Sequence, residues 1–251
     1  MPMRPLLVLA AFGSVLAGCA VGETTSADRF AADGHLIALS GAGAGASNAC
    51  FTCHGLDGLG NGAGAPRLAA LDAGYLTRQL VAYADGRRQH PQMSWIAEQL
   101  SARERQAVSD YYAEMPFAAG PSPSPSRSRL YHDGDPSRGL LACAACHGDR
   151  GEGLGPANPP LGGQPAAYLA DQLAQWRKAK RRSDPGSVML RISQLLTPAE
   201  AAALAVYAAR LPADPPSPGS REASREARHA GPRNDASGPL LHVPESARAA
   251  E

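Results

Sequence analysis

Two five-residue stretches carry chemistry by residue type and spacing: Cys50-Phe51-Thr52-Cys53-His54 and Cys143-Ala144-Ala145-Cys146-His147. Each reads C-x-x-C-H. Thiols about one helical turn apart can add to the two vinyl groups of one porphyrin, and the His that follows then sits beneath the ring and binds iron from one side. This is the attachment signature of a c-type haem. A redox dithiol needs only the two cysteines. It does not explain why both motifs carry the His and are followed by a Gly-rich loop, a Pro and a late Met. The expectation is two covalently bound haem c groups, attached through Cys50 and Cys53 and through Cys143 and Cys146.

An internal repeat positions these motifs. A shift of 93 residues lays Cys50, Cys53 and His54 on Cys143, Cys146 and His147, and Gly55, Gly58 and Gly60 on Gly148, Gly151 and Gly153. The same shift lays Pro66 on Pro159, Leu68 on Leu161, Tyr75-Leu76 on Tyr168-Leu169 and Gln79-Leu80 on Gln172-Leu173. With three more residues inserted, Met93 falls on Met189, Leu100-Ser101 on Leu196-Thr197, Glu104 on Glu200 and Tyr111 on Tyr207. Two copies of one fold follow from this register.

The pattern is helical throughout, with no convincing strand. Ser101-x-x-Glu104 and Thr197-Pro198-x-Glu200 are capping boxes that open the last helix of each copy, the second with Pro at the first helical position. Apolar residues follow at helical spacing: Ala107, Val108, Tyr111 and Tyr112, then Leu204, Tyr207 and Ala208. An earlier helix starts near Tyr75 and near Tyr168. Phe30, Leu36, Ile37 and Leu39 suggest a helix from Arg29 to Leu39 that Gly34 weakens. The Gly41–Ala46 alternation of Gly and Ala reads as flexible or loosely packed.

Iron bound by one His needs a sixth ligand or an open site. A thioether raises the potential, a second His lowers it, and an open site permits catalysis. Apart from Met1 and Met3 the methionines are Met93, Met115 and Met189. A lone Met is usually a core filler, the role expected of Met115. Met93 and Met189 occupy matched positions, which selects His54 with Met93 and His147 with Met189 as axial pairs. His90 and His132 are the rival ligands, and neither has a repeat partner. His35, His229 and His242 are expected in solvent. A backbone carbonyl near Pro66 and near Pro159 is placed to accept the other imidazole N–H.

The fifth cysteine, Cys19, ends Leu16-Ala17-Gly18-Cys19, preceded by Arg4 and an apolar run from Leu6 to Leu16 too short to span a membrane. The segment resembles a bacterial lipoprotein signal cut before Cys19, whose thiol then carries the lipid; an ordinary signal peptide is the alternative. Either way the chain is exported, as covalent haem attachment requires, and the lipid would hold it at the periplasmic face of a membrane. Domains are therefore expected as a signal peptide at 1–18, a tether at 19–27, haem domains at 28–117 and 129–212, a Pro/Ser linker at 118–128 and a disordered tail at 213–251.

The net charge of +1 makes no case for nucleic acid, and aromatics at 5% are thin for a self-sufficient core, a shortage two haems would fill. Charge is uneven: residues 29–117 sum to −1 and 127–212 to +4. Within the latter, Arg177-Lys178-x-Lys180-Arg181-Arg182 reads as a solvated face, with an acidic partner or a haem propionate as the other readings.

The paired C-x-x-C-H motifs, the G-x-G loops with P-x-L, the Tyr-Leu-x-x-Gln-Leu helix and the Met before a capped last helix resemble dihaem class I cytochromes c of the cytochrome c-4 kind. The resemblance covers residues 45–211. It implies an all-α fold of two tandem cytochrome c domains with neighbouring haems, carrying electrons in a respiratory chain. It likewise implies His54 and Met93, and His147 and Met189, as axial ligands. Two features depart from it. Ser47-Asn48 stands where the second copy has Leu140-Leu141, which bears on the packing of the first helix. The Pro/Ser linker also exceeds what a compact interface needs.

The first functional expectation is a membrane-tethered carrier passing single electrons from a quinol-oxidising complex to a terminal oxidase. The second is an electron-accepting subunit of a periplasmic dehydrogenase. The third, an enzyme such as a peroxidase with one open iron, finds no catalytic constellation in the chain.

Overall fold

The computed structural model describes residues 33–62, 64–118 and 125–212. The signal segment with Cys19, the tether, most of the Pro/Ser linker and the tail from residue 213 lie outside the described residues.

The first copy contains α1 (Gly34–Ser40), the single turn α2 (Phe51–His54), α3 (Ala73–Ala84), α4 (Pro91–Gln99) and α5 (Ala102–Glu114). The second contains α6 (Arg129–His132), α7 (Ala144–His147), α8 (Ala166–Arg177), α9 (Val188–Leu195) and α10 (Pro198–Ala209). In each copy the long middle helix, α3 or α8, packs against both the Met-bearing helix and the last helix. No strand forms among the described residues; isolated bridges pair Arg88 with Arg181 and Asp135 with Leu140.

The capping boxes form as the sequence expects. Ser101 Oγ accepts the Glu104 N–H at 3.2 Å while the Glu104 carboxylate accepts the Ser101 N–H at 2.7 Å. Thr197 and Glu200 repeat the exchange at 3.2 and 2.8 Å. These exchanges satisfy amides that helix starts leave without partners. α3 is started by Asp72, whose carboxylate accepts the Tyr75 N–H.

Two small cores result. Ile37, Leu71, Leu76, Leu100, Val108 and Tyr112 gather in the first copy, with Met115 packed against them as expected. Tyr131, Leu140, Leu169, Leu196, Leu204 and Leu211 gather in the second. Fully burying one such aliphatic side chain contributes about 2 kcal/mol.

Ser47-Asn48 does not loosen the first helix. α1 crosses α5 so closely that a Cβ on Gly34 would lie 2.1 Å from the Ala107 carbonyl oxygen. The Gly there is a packing requirement rather than a helix breaker. The Gly41–Ala46 stretch also differs from expectation. It folds into 3₁₀ turns at Ala42–Ala44 and Ala46–Asn48, buries Ala44, and is tied by the Asn48 side-chain amide to the Ala44 carbonyl. Small side chains here permit close approach to the rest of the domain, which the local composition alone disguises.

Candidate functional site

Cys50 and Cys143 each stand one residue before a single helical turn that ends on the motif His. Burial raises both thiols to about 11, so each sits neutral in an apolar wall, an environment that suits an uncharged thioether. Cys53 is half-buried and Cys146 exposed. The chain then turns back beneath each His. The Gly60 N–H donates to the His54 carbonyl at 2.8 Å and the Gly153 N–H to the His147 carbonyl at 2.9 Å, both glycines at positive φ. A Cβ on Gly60 would meet the Ala65 carbonyl oxygen at 2.4 Å, which is why glycine recurs there.

That turn delivers the expected carbonyls. Pro66 O lies 2.9 Å from His54 Nδ1, and Pro159 O lies 2.9 Å from His147 Nδ1. A carbonyl only accepts, so Nδ1 carries the proton and Nε2 keeps its lone pair for a metal. Burial lowers the pKa of both imidazoles, against the raising effect of these carbonyl bonds. Arg88 pushes His54, and Arg181 pushes His147, further the same way. Both rings are therefore held neutral, as iron ligation needs.

His54, Met93, His147 and Met189 all line one continuous cavity of about 960 Å³ that runs through both copies, as do Cys50, Cys53, Cys143 and Cys146. Its wall is mostly apolar: Leu71, Leu76, Leu100, Ile96 and Val108 on one side, Leu169, Leu173, Leu196 and Ile192 on the other. Of the rival ligands, His132 is fully engaged, while His90 lines the same cavity as Met93. His90 is exposed and caps α4, its Nδ1 accepting the Met93 backbone N–H at 3.2 Å. His132 spends both ring nitrogens, on Asp149 at 3.1 Å and on the Tyr207 hydroxyl at 2.8 Å. His35 is exposed and meets Tyr111 at a tilt, 5.3 Å between centroids.

The copies meet across a near-symmetric interface, despite the length of the linker. The Gln89 N–H donates to the Lys180 carbonyl, and the Arg182 N–H to the Arg87 carbonyl, a pairing the 93-residue shift maps onto itself. At its centre Arg88 and Arg181 are 4% and 3% exposed. Arg88 donates to Gln79, Tyr168 and Gln172, and Arg181 to Gln172, Tyr75 and Gln79. The basic run 177–182 is thus not one face: Arg181 is interior, Arg177 donates to the Leu196 carbonyl, and Lys178, Lys180 and Arg182 are exposed. Arg88 is the residue that motif reading misses. Its signal was available, because the repeat register lays Arg88 on Arg181.

A family model described as "Cytochrome c" matches residues 40–115 and 139–211. The thiosulfate dehydrogenase electron acceptor of Stutzerimonas stutzeri is 42% identical over 188 residues, covering 72% of this chain and 87% of that protein. Cytochrome c4 of Pseudomonas aeruginosa is 30% identical over 178 residues, covering 69% and 89%. Among solved structures, thiosulfate dehydrogenase (TsdBA) from Marichromatium purpuratum, in its as-isolated form, superposes with a TM-score of 0.62 at 37% identity. That match covers 72% of this chain but only 40% of the solved one.

Proposed function

Since the chain belongs to the cytochrome c family and is a dihaem electron-transfer protein of the cytochrome c4 type, we propose that it accepts single electrons from a thiosulfate-oxidising dehydrogenase and passes them toward a terminal oxidase. Two covalently bound haem c groups are its cofactors, and a c-type cytochrome of this kind is exported. The haem iron, when bound, supplies the reversible ferric/ferrous couple. The protein's part is to attach, orient and shield that group.

Cys50 and Cys53 are the proposed thioether attachments of the first haem, with His54 and Met93 as its axial ligands. Cys143 and Cys146, with His147 and Met189, serve the second. Residues 28–117 and 129–212 are the proposed domains. The carbonyls of Pro66 and Pro159 fix each imidazole's rotation and keep Nε2 free to bind. Both haem motifs line one cavity, which supports exchange between the haems. Lipidation of Cys19 would keep the carrier at a membrane surface; no single helix among the described residues is long and apolar enough to cross one.

The observation carrying the choice of donor is the 42% identity to a thiosulfate dehydrogenase electron acceptor over 87% of that protein. The quinol-oxidising complex is the second reading, favoured by the cytochrome c4 of Pseudomonas aeruginosa. Rapid mixing separates them. Oxidised protein is mixed with a purified periplasmic thiosulfate dehydrogenase and thiosulfate, and separately with a quinol-oxidising complex and quinol. Fast reduction of both haems in the first mixture, and not by thiosulfate alone, supports the proposal. Reduction only in the second overturns the donor and leaves the carrier.

A further inference from the structure

Four leucines of the first copy stand in solvent: Leu36 and Leu39 at 38% and 37% exposure, Leu56 and Leu59 at 68% and 41%. Leu36 and Leu39 are three apart on α1 and so share a face. Leu56 and Leu59 belong to the loop that leaves α2. The 93-residue register gives their counterparts in the second copy as Arg129, His132, Asp149 and Glu152. There the equivalents of Leu39 and Leu56 touch, since His132 Nδ1 lies 3.1 Å from Asp149 Oδ1. The copies match closely in this region. α2 and α7 are four-residue turns in the same register, and Ala38 and Tyr131, one residue before Leu39 and His132, are each 1% exposed. Leu39 is thereby placed beside Leu56, and the leucines form one patch.

The fold does not require leucine here, because the second copy fills all four positions with polar or charged groups. An exposed apolar patch of this kind marks a contact with another protein or with a membrane. Three observations choose the membrane. Asp33, the N-cap of α1, is where the chain arrives from Cys19, fourteen residues earlier. An extended chain of that length spans at most about 50 Å, so the copy bearing the patch is the one held near that cysteine. The patch is also aliphatic. Protein interfaces are anchored mainly by Trp, Tyr and Arg, with leucine under-represented, whereas a lipid surface takes leucine by buried area alone. Finally, the carboxylates nearest the patch are turned onto backbone. Asp33 accepts the His35 and Leu36 N–H at 2.9 and 3.3 Å, and Asp57 accepts the Leu59 N–H at 3.1 Å. Their charge favours zwitterionic over anionic headgroups.

We propose that Leu36, Leu39, Leu56 and Leu59 form a membrane-resting face that seats the first domain on a zwitterionic lipid surface. The second domain, polar at the same positions, stays off that surface. This rests on the lipidation of Cys19 proposed above only for bringing the patch to the bilayer. The acyl anchor supplies the affinity and the leucines supply the orientation, so the two haems stand at different, fixed heights above the membrane.

The test is hydrogen–deuterium exchange of the haem-loaded protein with and without phosphatidylcholine vesicles, read peptide by peptide. Residues 55–60 are expected to exchange severalfold more slowly with vesicles, and the matching loop at 148–153 at an unchanged rate. That second loop is a control inside the same molecule and needs no variant. Leu39→His combined with Leu56→Asp copies the pair that the second copy already holds. It should abolish the slowing while both haem spectra persist. Equal exchange of residues 55–60 with and without vesicles overturns the proposal, as does equal slowing of both loops. Slowing that follows protein concentration in the absence of lipid overturns it too, and gives the patch to a second copy of the chain. The mass of the purified protein reports acylation of Cys19 separately. A free thiol refutes the anchor, and the same comparison at high lipid then decides the patch by itself.

Discussion

Asp184 holds Met189: its Oδ2 accepts the Met189 backbone N–H at 2.8 Å, while its Oδ1 accepts the Trp176 indole N–H at 2.9 Å. Trp176 in turn lies under the Arg181 guanidinium. The first copy runs the same route through different groups. Arg88 covers Tyr83, Tyr83 meets His90 edge-on at 6.5 Å, and His90 Nδ1 accepts the Met93 N–H. A carboxylate thus stands beside Met189 and an imidazole beside Met93.

An anion near iron favours the ferric state, so with Met189 on the second iron the Asp184 carboxylate is expected to lower that haem's potential. Asp184→Asn removes the charge at similar shape, and its single amide oxygen keeps one of the two accepted bonds. The second haem's potential is expected to rise by a three- to tenfold change in its equilibrium, at most about 59 mV, with the first haem nearly unmoved. Redox titration that resolves the two haems checks this, and an unchanged second potential would show that the carboxylate's charge is screened.

Met93→Leu and Met189→Leu test the axial pairs one domain at a time. Each should abolish about half of the weak far-red band of sulfur-ligated ferric haem, lower that domain's potential and open its iron to carbon monoxide. Visible spectra of the oxidised and the reduced, gas-treated protein read all three effects. If His90 were the ligand in the first domain, that domain would have no such band to lose, and Met93→Leu would change neither the spectrum nor the gas response.

Glu200 links acid stability to one surface pair. Its carboxyl is drawn down to about 2 by the Arg138 guanidinium 2.7 Å away, assisted by the Thr197 N–H and hydroxyl. A carboxyl whose folded pKa lies below its unfolded value of 4.5 stabilises the fold fully above that value. The contribution disappears as pH falls from about 4.5 to 2. Glu200→Gln should therefore flatten the acid limb of a stability-against-pH curve in that window. At neutral pH the variant should lose some stability, since the capping bond is weakened along with the ion pair.

The parts of the site that lie close in sequence were legible. C-x-x-C-H sets its own geometry within one turn, and the carbonyls of Pro66 and Pro159 are positioned by short loops whose glycines are visible in the chain. The capping boxes announced α5 and α10 because the exchange of bonds is local. Packing between distant segments was not legible. Gly34 looked like a weak point until α5 was seen against it, and the Gly41–Ala46 run looked loose until Ala44 was found buried. The interface was the largest omission. Arg181 was read as part of a charged run because charge patterning cannot show which member of a run turns inward.

Gln164 is the polar hinge-pin of domain docking. Its amide oxygen accepts the Arg67 backbone N–H at 3.0 Å and its Nε2 donates to the Arg67 carbonyl at 2.9 Å, replacing the partners a strand neighbour would supply. Gln164 is 5% exposed and Arg67 1%, so water does not readily take over either bond. The Arg67 guanidinium, lowered to about 10 by burial, stacks on Phe117 and donates to the Gly162 carbonyl across the same seam. Gln164→Ala leaves a buried N–H and a buried carbonyl unpaired, each costing about 1–3 kcal/mol. The two domains are expected to separate at lower denaturant while each keeps its haem spectrum, and small-angle scattering should show a larger radius of gyration before either haem is lost. A single transition at the unmodified midpoint would place the strength of docking elsewhere, in the Arg88 and Arg181 cluster.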